Sequence, residues 1–137
     1  MSAKTLLRLI DAFLCVLLIA FAAVQYNDPD FYFWVPVYLL PAALAGLAAY
    51  RPQQLWRLPL RTTLLLCIVA GGVGTLWLWP TEEGFWHREV WWESETAREG
   101  MGVMIVTLAL VVVAFSAWLS RHGGGTSTAS GHTIRTP

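Results

Sequence analysis

The chain has 137 residues, of which 56% are hydrophobic and 13% charged, with 8 Trp and a formal net charge of zero. A soluble domain carries roughly twice that share of charge, about 25%, so the composition points to lipid as the solvent for much of the surface. The length suits one domain. No basic domain is present, which argues against nucleic acid as a partner.

Four apolar segments follow one another, each near the roughly 20 residues that a helix needs to cross the hydrocarbon core. They run at about 6–24, 31–50, 62–79 and 100–119. Backbone groups in lipid must be satisfied within the segment, so each is expected to be helical. The fold class implied is all-α: an integral membrane four-helix bundle over residues 1–120. A disordered cytoplasmic tail is expected at 121–137.

The first segment opens with Lys4 and Arg8 and contains Ala20-Phe21-Ala22, the ingredients of a signal peptide. Asp11 would interrupt the apolar region of such a peptide, and the run is long enough to span. An uncleaved span is the expectation. Asp11 is itself an intramembrane carboxylate, a residue type that marks function by default. Arg8 lies three residues before it, within pairing reach. Gln25 lies fourteen residues after it, close to four turns. A polar stripe of Arg8, Asp11 and Gln25, turned into the bundle, is predicted.

The cluster Gln25-Tyr26-Asn27-Asp28-Pro29-Asp30 then separates the first two spans. Asp28 suits a cap of the second helix, with Pro29 at its first position and Asp30 in its first turn. Gln25 and Asn27 add amide groups that capping does not explain. The second span carries Pro36 and Pro41, which predict a bent helix. Small residues recur at four-residue spacing as Ala42 with Gly46, Ala45 with Ala49, and Ala70 with Gly74 in the third span. Such faces let helices approach closely in lipid, though an Ala- and Gly-rich chain also produces them by chance. Cys15 and Cys67 both sit inside apolar runs and read as small buried residues.

The loop from Pro80 to Glu99 holds Trp86, Trp91 and Trp92, with Trp77 and Trp79 just before it. Tryptophan prefers the headgroup level. A short interfacial helix between Thr81 and Glu95 is predicted, with Thr81 as cap and Glu82 and Glu83 in the first turn. At the start of the fourth span, Glu95, Arg98, Glu99 and Gly102 have the spacing i, i+3, i+4, i+7 and share one helical face. Charge runs of this kind are often only a solvated face. The sharper expectation is a half-buried Arg98 that pairs with Asp28 or Asp30 and ties the fourth helix to the first loop.

Basic residues set the orientation. Lys4, Arg8, Arg51, Arg57, Arg61, Arg121 and Arg135 fall on one side, and Arg88 and Arg98 on the other. Both termini are therefore expected in the cytoplasm, with the protein in the cell (inner) membrane. The outer side gathers eight acids: Asp28, Asp30, Glu82, Glu83, Glu89, Glu93, Glu95 and Glu99.

The Asp11-to-Gln25 spacing, the string Gln-x-Asn-Asp-Pro-Asp and the run Glu-x-Ala-Arg-Glu-x-x-Gly together resemble the transmembrane protein 220 family, over roughly residues 6 to 119. The resemblance implies a small four-span protein and a polar site at the outer loops. It implies no reaction. Asp11 stands where the family has Asn, and the Trp-rich third loop looks particular to this chain.

Three functional readings follow. The first is a non-enzymatic accessory or binding protein with an acidic, Trp-rimmed outer site formed by Gln25, Asn27, Asp28, Asp30, Glu95, Arg98 and Glu99. Its partners would be membrane lipid and a larger membrane protein complex or a second copy. The second is a small transporter or divalent-cation handler, with Asp28, Asp30, His87, Glu95 and Glu99 as oxygen and imidazole donors. The third is a membrane enzyme. His87, His122 and His132 all lie outside the spans, which excludes bis-histidine haem in the bundle. No Ser-His-Asp or His-Glu-x-x-His pattern occurs, though Asp28 and Glu99 could form an acid/base pair. No cofactor and no catalytic residue are expected.

Overall fold

The structure is a computed structural model that describes residues 1–81 and 83–122. Glu82, expected in the first turn of the interfacial helix, lies outside the described residues, as does the expected tail from 123 onward. Five helices are described: α1 Ala3–Val24, α2 Phe31–Tyr50, α3 Leu58–Trp77, α4 Arg88–Glu93 and α5 Glu95–His122. Four of them, all but α4, are long and apolar enough to cross a membrane. They pack together as an all-helical bundle, with α4 as a short helix between the third and fourth spans.

Local chemistry explains most of the boundaries. Ser2 caps α1, its hydroxyl accepting from the Thr5 amide at 3.2 Å, a bond that satisfies one of the free N–H groups of the first turn. A 3₁₀ turn at Gln25–Asn27 ends that helix. The third span starts one turn earlier than hydropathy suggests. Pro59 sits in its first turn, where a missing N–H costs nothing. Thr62 and Thr63 return their hydroxyls to the Leu58 and Pro59 carbonyls at 2.9 Å each. Pro36 and Pro41 both lie inside α2, which continues from Phe31 to Tyr50. At the other end of the bundle α5 carries on through Arg121 and His122.

The order of packing places α5 at the centre. Helix α1 packs chiefly on α2 and α3 chiefly on α5, while α5 also touches α2 and α1. The core is built from Leu18, Trp34, Tyr38, Ala42, Leu44, Ala45, Val106, Leu110 and Val113. Large apolar side chains such as Phe13, Val16, Leu66, Val69 and Leu108 are exposed, as lipid-facing residues of a spanning bundle are.

The small-residue faces are real, with one correction. Ala42 and Ala45 are buried, and Gly46 faces the Cys15 sulfur. In α3, however, Ala70 is exposed. The contact face is rotated by one residue: the Thr107 side chain lies over Gly71, and Val103 over Gly74. Gly100 closes the same seam, and a methyl group added there would lie 2.5 Å from the Leu78 carbonyl oxygen. The helices thus meet through an i, i+3, i+7 row on each side. Both cysteines are free and half-buried.

Candidate functional site

The loop Gln25–Asp30 and the start of α2 lie at the same end of the bundle as the helix α4 and the start of α5, on which α4 packs. Here the expected capping role passes from Asp28 to Asp30, because Pro29 lies before the helix and α2 begins only at Phe31. Asp30 is the N-cap residue, yet its carboxylate caps no backbone amide. It accepts instead from the Trp34 indole N–H, at 3.0 Å. The Phe33 and Trp34 amides find the Asp30 carbonyl.

From Asp30 a column runs inward along one face of α2. Trp34 and Tyr38, four and eight residues on, are 6% and 5% exposed. Their ring centroids are 6.4 Å apart, and Phe21 of α1 packs against Tyr38 at 5.7 Å. Gln25, half-buried in the turn after α1, lies near the Tyr38 hydroxyl. The same hydroxyl rests on Gly102 of α5, in the space that a Cβ would take. Gly102 therefore serves contact with Tyr38 rather than with a neighbouring backbone. Trp34 and Tyr38 escaped the sequence reading, although Asp30, Trp34 and Tyr38 at i, i+4, i+8 are a legible signal for one helical face.

The charged part of the site is more open than expected. Asp28, Asn27, Glu95 and Arg98 are exposed, and Asp30 and Glu99 are half-buried. Glu99 lies within electrostatic reach of Asp30, Glu95, Asp28 and Arg98, so four carboxylates and one guanidinium do gather. The predicted pairing is not seen: among the described residues no hydrogen bond or ion pair within 4.0 Å joins Arg98 to Asp28 or Asp30. The reason lies in helix phase. Ala97 and Gly100 take the inward positions of the first turn of α5, and this leaves Arg98 on the outside. Its i, i+3, i+4, i+7 set straddles the edge of the buried face, with Gly102 inside and Glu95 and Arg98 in solvent.

The Trp-rich loop lies at this end too, its short helix packed on α5. Its helix starts at Arg88, with His87 as N-cap residue, and not at Thr81. A turn with Gly84 at φ 80° precedes it. Trp91 donates its indole N–H to the Phe85 carbonyl at 2.6 Å and meets Trp79 edge-on at 5.6 Å. Trp77, Trp86 and Trp92 remain largely exposed. His87 stacks obliquely on Trp86. Among the described residues no three His, Cys, Asp or Glu side chains converge as a metal-ligand set.

A second polar pair sits within the membrane-spanning part. Asp11 is fully buried and faces the bundle as predicted. Its partner is Ser116 of α5, whose hydroxyl donates to Asp11 Oδ2, while Oδ1 has no partner among the described residues. Arg8 is exposed and takes no part. Ser116 was legible only as a hydroxyl within an otherwise apolar half-span.

The outer end thus combines the buried Tyr38, a group of carboxylates about Glu99 and several exposed tryptophans. No solved structure matches the chain. Residues 17–115 match the family described as "Transmembrane family 220, helix", and this multi-pass membrane protein belongs to that family.

Proposed function

We propose that the protein is a non-enzymatic accessory or binding protein of the membrane, which presents its acidic, Trp-rimmed end to a basic segment of a larger membrane protein complex. The observation that supports this most is that Asp30, Glu95 and Asp28 all act electrostatically on Glu99, with Arg98 as the one opposing cation among the described residues. Carboxylates held together at a surface are unfavourable to one another, and a cationic partner relieves that repulsion. The exposed Trp86 and Trp92 supply the flat, amphipathic contact area that interfaces favour. The Trp34 indole ties Asp30 to the buried rings of α2 beneath it.

In this reading the acidic end lies outside and both termini lie in the cytoplasm, at the cell membrane. Its support is the seven-to-two division of Lys and Arg between the two ends. A reporter active only outside the cytoplasm, fused after Leu119, should be silent.

The test is affinity purification in mild detergent of the wild type and of a triple variant, Asp28→Asn, Asp30→Asn and Glu99→Gln. A protein retained by the wild type and lost by the variant is expected. Identical sets of co-purifying proteins would overturn the reading. Stoichiometric divalent metal in the wild type, absent from the variant, would replace it with cation handling.

A further inference from the structure

The opposite end of the bundle carries its own recess. Gln53 and Trp56 from the 3₁₀ turn Pro52–Trp56, and Ala117, Ser120 and Arg121 from the end of α5, line a groove of about 420 Å³. Trp56 is its fixed wall. The indole N–H donates to the Ala117 carbonyl at 3.1 Å, a bond that ties the connection between the second and third spans to the fourth span. Two guanidinium groups gather on the same ring: Arg121 at 5.1 Å and Arg61 at 5.8 Å from the ring centroid. Both distances fall within the range in which a cation is attracted to an aromatic face, about 6 Å. The stacking orders two long side chains before any ligand arrives.

We propose that this groove binds the phosphate of an anionic phospholipid headgroup. Three observations carry it. The first is charge. Lys4, Arg8, Arg51, Arg57, Arg61 and Arg121 all lie toward this end, and the one acidic side chain there among the described residues, Asp11, is buried within the bundle. Among the described residues no ion pair within 4.0 Å joins a carboxylate to Arg121, which lines the groove, or to Arg61 on the ring of its Trp56 wall. The second is chemistry. The Arg121 guanidinium, the Gln53 amide and the Ser120 hydroxyl can all donate to phosphate oxygens. The α5 C-terminus contributes roughly half a negative charge at its last turn, which the full positive charge of Arg121 outweighs. The third is depth. Ser120 and Arg121 follow directly on the apolar part of α5, and Arg57 directly precedes α3. The groove therefore opens at headgroup level, where tryptophan also anchors and where basic pockets between spans take anionic headgroups. A lipid reaches it by lateral diffusion, its tails lying along the exposed apolar surface of the bundle.

The experiment uses the full chain in mixed micelles of detergent and phosphatidylcholine with a minor fraction of phosphatidylglycerol, read by native mass spectrometry. The wild type should retain phosphatidylglycerol in preference to phosphatidylcholine. Arg121→Gln should weaken that retention at least tenfold. Gln53→Leu, at an exposed position that leaves Trp56 untouched, should weaken it severalfold and stands in if Arg121→Gln fails to fold. Arg51→Gln, at the same end but outside the groove, should leave it unchanged. Equal retention of the two lipids would overturn the proposal. Equal losses in Arg51→Gln and Gln53→Leu would overturn it too, by reducing the effect to diffuse charge. Complete displacement of the lipid by inorganic phosphate would assign the groove to free phosphate instead.

Discussion

At one end of the bundle Asp11 is sealed among apolar side chains with a single hydroxyl for company. At the other, Arg98 stands in solvent among carboxylates. Both are charged residues close to the end of a span, and both looked alike in sequence: isolated polar groups with acids or bases a turn away. The structure separates them by burial. A polar group inside the bundle depends on each hydrogen bond it makes, because nothing else there can solvate it. A charge at the surface has water and screening ions in place of a partner. The number of nearby charges is therefore a poor guide to what either residue contributes.

The largest effect should come from the buried side. Ser116→Ala removes the one hydrogen bond to Asp11, whose other oxygen is already unpaired, and should destabilise the bundle by about 2–3 kcal/mol, the cost of orphaning a buried polar group. Thermal unfolding in detergent reads this. The double change Asp11→Leu with Ser116→Ala should recover much of the loss, and a stable Ser116→Ala single variant would break the contrast.

Next comes Gly102→Ala. Its new methyl group occupies the place of the Tyr38 hydroxyl, and overpacking of that kind costs about 2 kcal/mol. Tyr38→Phe should relieve it in the double variant, since the phenyl ring lacks the clashing oxygen. Additive losses would mean that the hydroxyl has room to move aside.

Trp34→Phe lies between the two regions, with a buried ring and a half-exposed acceptor. It should cost about 1 kcal/mol, because Asp30 can turn to water once the indole N–H is gone. A larger loss would place Asp30 effectively inside the bundle.

Arg98→Ala should have the smallest effect, below about 1 kcal/mol, as exposed pairs generally do. Combined with Asp28→Asn it should be additive. Coupling between them in a double-mutant cycle would show that the two loops are joined through this guanidinium, against the exposed geometry of α5.

Sequence alone determined the number of spans, their helical state, the short helix in the third loop and the inward face of Asp11. Hydropathy and the need to satisfy the backbone in lipid act locally along the chain, so their outcome is written in consecutive residues. Helix phase and partners were decided only by tertiary packing. Whether α3 meets α5 through Ala70 or Gly71, whether Arg98 points in or out, and which hydroxyl reaches Asp11 all depend on a rotation of one residue, about 100° about a helix axis. Trp34 and Tyr38 illustrate the limit. Their spacing from Asp30 was visible, but in lipid an aromatic residue can face the acyl chains as readily as the core, and only the contact with Gly102 shows which way the column turns.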